Sequence, residues 1–142
     1  MMGAFLEQSQ DYREEVYHVS SESEVMTVVM ASYVMAKEVG FNDVEVNEIS
    51  TSVSELAMNI VKYANHGDIF LHVMNSSTKK GLEIRAVDKG QGIEDIERAL
   101  KDSESTSGTL GLGLPGVKRM MDEFHIESSS DGTQVVASKW VQ

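Results

Sequence analysis

Apolar and polar positions change period along the chain, and those changes mark its elements. Residues 14–19 have the length and composition of a short strand. Glu22 to Val39 reads as a helix, with Ser20 or Ser21 able to cap its first turn and Gly40 standing just past its end. From Val44 to Ala64 the residues Val46, Ile49, Val53, Leu56, Ala57, Ile60 and Ala64 recur at three- and four-residue steps, which predicts a longer helix with one apolar face. Asp68 to Met74 and Leu82 to Asp88 are apolar segments of strand length, and the polar stretch 75–81 between them reads as the turn of an antiparallel hairpin. Beyond Asp88 the chain becomes Gly-rich, forms a short helix around Glu94 to Leu100, and continues as a Ser/Thr/Gly loop through Gly113. Leu114 to Glu123 is expected to be helical, with Pro115 in the first turn, where its missing N–H costs nothing. Phe124 to Ser130 and Thr133 to Trp140 close as a hairpin around Asp131-Gly132. This order predicts an α+β fold, a two-layer sandwich with helices on one face of a mixed, mostly antiparallel sheet. A single domain is expected over residues 14–142, with 1–13 as an N-terminal extension.

Composition narrows the function classes. With 142 residues, 41% hydrophobic and 25% charged, the chain can bury one globular core. Its net charge of −11 repels phosphate backbones and anionic lipid, so neither nucleic acid nor a membrane surface is expected as a partner. The chain has no Cys, which removes disulfides, thiolate nucleophiles and Cys-type zinc sites, and suits a reducing cytoplasm. Its first residues lack the basic segment and apolar core of a signal peptide, and no apolar run approaches the roughly 18–20 residues that span a bilayer. A cytoplasmic protein without membrane insertion is expected.

Three constellations can carry chemistry. On the second long helix, at about 100° per residue, Glu55, Asn59 and Lys62 fall within roughly 60° of one another and nearly opposite Val46, Val53, Ala57 and Ala64. Such a face is also what an ordinary solvated helix presents. With suitable neighbours, the amide oxygen can help hold Mg²⁺ on a nucleotide while the carboxylate orients or deprotonates an attacking group. The second constellation is Asp88-Lys89-Gly90-Gln91-Gly92-Ile93 at a strand end. Its glycines let backbone approach a flat ligand, and its Asp can accept from an exocyclic amino group, which favours adenine over guanine. Alone, it is equally an ordinary turn.

The third runs from Thr106-Ser107-Gly108 through Gly111-Leu112-Gly113-Leu114-Pro115-Gly116 into a helix with Lys118 and Arg119. Successive amides at a helix N-terminus favour an anion such as polyphosphate. The span is neither a dinucleotide fingerprint, which needs a strand immediately before it, nor a P-loop, because Val117 stands where the Lys must be.

In that order the three resemble the GHKL ATPase superfamily, whose Bergerat fold is shared by gyrase, Hsp90, MutL and histidine kinases. Glu55 and Asn59 match its N box, Asp88, Gly90 and Gly92 its first glycine box, and Gly108, Gly111 and Gly113 its lid. The segments Ser105 to Gly108, Gly111 to Arg119 and Met121 to Phe124, with Gly132-Thr133 and Lys139-Trp140, are similar to the small bacterial serine/threonine kinases of stressosome partner switching. The Lys62-Tyr63 pair departs toward the sensor-kinase form.

The resemblance implies an ATP- and Mg²⁺-dependent serine/threonine kinase. Glu55 would be the catalytic base and Asn59 the metal contact. The nucleotide would be held by Asn59, Lys62, Asp88, Gly90, Gly92, Ile93, Thr106, Ser107, Gly108, Gly111, Leu112, Gly113 and Thr133. Its acceptor would lie on a STAS-domain protein or stressosome complex, with a phosphatase or other output protein as a further partner. His18, His66, His72 and His125 are expected to be strand and loop residues and not phosphoacceptors. The rival reading is an ATP-dependent anti-sigma factor that sequesters a sigma subunit. A free-standing ATPase is a third, and it predicts phosphate release without a partner.

Overall fold

The computed structural model describes residues 13–94, 96–101 and 113–142. Its elements are β1 (Glu14–Val19), α1 (Glu22–Val39), α2 (Asp43–Ala64), β2 (Gly67–Asn75), β3 (Lys80–Asp88), α3 (Ile96–Ala99), α4 (Gly113–Met120), β4 (Glu123–Ser129) and β5 (Gly132–Trp140).

Local chemistry sets the helix ends. Ser21, in extended backbone, accepts from the Glu24 amide and caps α1, and Gly40 at φ 112° closes it with bonds to the Ala36 and Lys37 carbonyls. The start of α2 is a capping box: Asn42 Oδ1 accepts from Glu45 N at 2.8 Å and Glu45 Oε1 accepts from Asn42 N at 3.0 Å. That reciprocal pair explains why Glu45 is a buried carboxylate and why α2 begins at Asp43, one residue before the periodicity does.

The five strands form one sheet in the order β1-β2-β3-β5-β4, with all four pairings antiparallel. Among the described residues the sheet therefore holds no parallel pair, since β3 and β5 run opposite ways despite the helices between them. Its inner face carries Ile69, Leu71, Leu82, Ile84, Val135 and Ala137, which pack against Val46, Ile49, Val53, Leu56, Ala57 and Ile60 of α2 and against Val25, Val28 and Met35 of α1. Ala64, expected with that apolar stripe, is half-buried at the helix end. The outer face is polar and mixed, with the Arg85 guanidinium 4.2 Å from the centre of the Phe70 ring.

Two boundaries near the C-terminus differ from expectation. Helix α4 stops at Met120 and not at Glu123. The buried Lys139 ammonium donates to the Met120 carbonyl at 2.7 Å, while Asp122 N bonds Ser138 O and Ser138 Oγ donates to Glu123, drawing Glu123 into the sheet. Lys139 also lies 3.4 Å from Glu48 and 3.6 Å from Asp122, so its charge is buried with partners. The hairpin turn is Ser130-Asp131, one residue earlier than expected, and Gly132 already pairs with Ser129. Gly132 is glycine for another reason: at φ 142° a Cβ there would stand 2.1 Å from the Asp88 carbonyl oxygen.

Candidate functional site

One row of paired residues crosses an end of the sheet's inner face: Val19 with Gly67, Gly67 with Asp88, Asp88 with Thr133, and Thr133 with Ser128. Above this row stands the C-terminal half of α2, which aims Glu55, Asn59 and Lys62 into the same space. The loop after β3 and the start of α4 close the sides. Together they enclose a cavity of about 410 Å³, within the range of small-ligand pockets. Leu56, Ile60, Ala86, Ile93, Leu114 and Val135 give it apolar walls, and Glu55, Asn59, Lys62, Asp88 and Thr133 supply its polar groups.

Each polar group is held differently. Asp88 Oδ1 accepts from the Gly90 amide at 2.8 Å, which folds the loop back and leaves Oδ2 without a partner among the described residues. Glu55 Oε2 accepts from the Gly113 amide at 3.2 Å, so the carboxylate sits at the N-terminus of α4, where the helix dipole favours negative charge. The half-buried Asn59 carboxamide makes no hydrogen bond to a described residue. Lys62 is exposed at the rim, its ammonium 5.5 Å from the Tyr63 ring centre and without an ion pair among the described residues.

Of the residues singled out from sequence, Glu55, Asn59, Lys62, Asp88, Gly90, Gly92, Ile93, Gly113 and Thr133 all line this cavity. Thr106, Ser107, Gly108, Gly111 and Leu112 lie outside the described residues. The glycines line the cavity, but the space left by their missing side chains is filled by protein. A Cβ on Gly90 would stand 2.8 Å from the Ala64 methyl, and one on Gly92, at φ 85°, would stand 2.0 Å from the Ser129 carbonyl oxygen. One contributor escaped the motifs. Ser128 Oγ accepts from Ile93 N at 2.7 Å and lies 2.7 Å from Thr133 Oγ1, tying the loop to the hairpin. The only signal for it was hairpin register, which a turn placed one residue late would misassign.

The histidines sit elsewhere. His18 pairs with Asp68, His125 with Glu127, and the His72 ring lies 3.9 Å from Glu14. Among the described residues no group of three His, Cys, Asp or Glu side chains could hold a metal ion, and no helix is long and apolar enough to cross a membrane.

A helix acid and amide facing a strand-end Asp across an apolar slot define a nucleotide-binding class of α+β sandwich, and the chain belongs to the histidine kinase-like ATPase domain family, which it matches over residues 19–139. Among its relatives is the serine/threonine-protein kinase RsbT of Bacillus subtilis, 50% identical over 109 residues that cover 76% of this chain and 82% of that one. An anti-sigma F factor of Thermoanaerobacter sp. is 34% identical over 104 residues, 68% of this chain and 71% of that protein. Two solved structures share the fold. The RsbU and RsbW domains of a Mycobacterium tuberculosis protein align with TM-score 0.60 at 16% identity over 88% of this chain, which spans about a third (32%) of that structure. The SiaB-SiaC complex from Pseudomonas aeruginosa aligns with TM-score 0.52 at 12% identity over 99% of this chain and 98% of the other. The activity class that follows from this kinship is phosphoryl transfer from ATP, that of a serine/threonine-protein kinase.

Proposed function

We propose that this chain moves the γ-phosphate of ATP to a serine or threonine hydroxyl on a STAS-domain partner, in a cytoplasmic stress-response pathway of the partner-switching kind. In that reading it docks on a stressosome complex and then engages a phosphatase or other output protein. The observation that carries the site is the convergence of Glu55, Asn59 and Asp88, from distant stretches of chain, on one cavity.

The residues have separable tasks. Asp88 Oδ2, at the sheet end and without a partner among the described residues, accepts from an exocyclic amino group, and the apolar walls hold the flat ring. Asn59 suits Mg²⁺ because its carbonyl oxygen has no competing partner among the described residues, and one or two side-chain ligands completed by phosphates and water are the usual way this ion is held. When bound, Mg²⁺ neutralises charge on the transferring phosphoryl group. Lys62 at the rim offers a cation toward the phosphates. Glu55 orients and deprotonates the acceptor hydroxyl, so a carboxylate released from Gly113 N is the working base.

A second reading draws on the anti-sigma F factor relatives: ATP-dependent capture of a sigma factor with little transfer. A pull-down against a STAS protein, a sigma factor and a phosphatase linker separates the two. The kinase reading expects the STAS protein to be retained, and retention of the sigma factor alone decides for the rival.

A further inference from the structure

The nucleotide reading uses Asp88 and Thr133 at the end of the sheet and leaves Ser128, the next residue in the row, unexplained. Its hydroxyl has one proton and two lone pairs. The Ile93 amide donates to one lone pair at 2.7 Å, and the acceptor within reach of the proton, among the described residues, is Thr133 Oγ1, also at 2.7 Å. With Ser128 donating, Thr133 Oγ1 is occupied as an acceptor and must place its own proton elsewhere. Thr133 is buried on the inner face and lines the cavity, so that proton turns toward the ligand. Asp88, its cross-strand partner, has Oδ1 taken by Gly90 N and presents Oδ2.

We infer that Ser128 is a positioning residue which fixes the Thr133 hydroxyl as a donor. The cavity end then offers an acceptor beside a donor. That pair selects a heterocycle whose edge carries an amino group next to an unprotonated ring nitrogen, as in adenine, and disfavours guanine, whose carbonyl would meet the Asp88 carboxylate. The inference rests on the nucleotide-binding reading above and adds a residue outside the cavity lining as a determinant of base choice.

The test is calorimetric binding of ATP, 1-deaza-ATP and 7-deaza-ATP to wild type, Ser128→Ala and Ser128→Thr, since either neighbouring ring nitrogen can be the one that accepts. Wild type should bind one deaza analogue about tenfold more weakly than ATP, the worth of one hydrogen bond. That ratio should fall to about one in Ser128→Ala, where the Thr133 proton is no longer directed, and should persist in Ser128→Thr. A residue that merely braced the loop would weaken all three nucleotides alike and leave the ratio intact, which would overturn the inference, as would equal binding of all three by wild type. Should Ser128→Ala bind none of them, Thr133→Val carries the test, because it removes the donor while keeping Ser128 on Ile93. A ratio retained in Thr133→Val overturns the proposal. Wild type failing to bind ATP at all sinks the nucleotide reading itself, a different result from ATP binding with an unchanged ratio.

Discussion

At the scale of single residues, the site divides binding from chemistry. Asp88 and Asn59 both line the cavity, and Asp88 Oδ2 and the Asn59 carboxamide have no hydrogen-bond partner among the described residues, so each is expected to act on nucleotide affinity. Asp88→Asn replaces one acceptor oxygen by a donor and should weaken ATP binding about tenfold or more, and Asn59→Ala should weaken Mg-ATP binding to a similar degree. Isothermal calorimetry checks both, and unchanged binding in the two variants together removes the site assignment. Glu55 should behave in the opposite sense. Glu55→Gln keeps an acceptor for the Gly113 amide but no base, so transfer should fall by about 10²- to 10⁴-fold while ATP affinity stays near wild type. A quench-flow transfer assay run beside the calorimetry separates the two effects, and a Glu55→Gln protein that loses binding and turnover equally would make Glu55 a ligand and not a base.

At the scale of elements, what could be read in the sequence was whatever repeats locally. The three- and four-residue steps from Val46 to Ile60 and the Ser21 and Gly40 caps defined α1 and α2 to within a residue, because caps and amphipathic periods act within one or two turns. The face bearing Glu55, Asn59 and Lys62 followed from the same geometry, although whether it met a ligand or only water depended on neighbours. Contacts between distant segments were not legible. Nothing in the sequence around Gly132 announces that its missing Cβ makes room for the Asp88 carbonyl, nor that Lys139 ends α4, so the turn falls one residue, and the end of the last helix three residues, before the positions the pattern predicts. Those contacts make firm predictions of their own. Gly92→Ala or Gly132→Ala forces a Cβ onto a backbone carbonyl at positive φ and should cost about 1–3 kcal/mol, seen as a drop of several degrees in Tm. The start of α1 adds a pH dependence. Glu24 accepts from the Ser20 hydroxyl at 2.6 Å and the Ser20 amide at 2.8 Å, and those bonds hold its carboxyl below the usual range. A depressed folded value stabilises above the unfolded one, about 4.3, and the gain is lost as pH falls through the folded value. Urea melts should therefore find Ser20→Ala less stable than wild type at neutral pH, with the gap closing as the pH falls through the folded-state carboxyl value; a gap independent of pH would assign the effect to something other than this carboxylate.

At the scale of the whole molecule, a net charge of −11 and an anionic substrate are compatible, because the charge is spread over the surface and screened within about 8 Å, whereas in the proposed site the Asn59 amide and the Lys62 ammonium would act at contact distance. The antiparallel sheet brings the end of β3 beside the start of β5, and α2 contributes the facing wall, so the cavity itself is a direct consequence of the topology. Membership of the histidine kinase-like ATPase domain family accounts for the pocket, and the acceptor protein is what divides the kinase reading from the anti-sigma one. The most direct measurement is to incubate the purified chain with γ-labelled ATP, Mg²⁺ and a STAS-domain protein, and to map the label by mass spectrometry. Phosphate on a single serine or threonine of the STAS protein, lost with Glu55→Gln, is the predicted result. ATP bound normally but no label on the partner, or label found only as phosphohistidine on the chain itself, would contradict it.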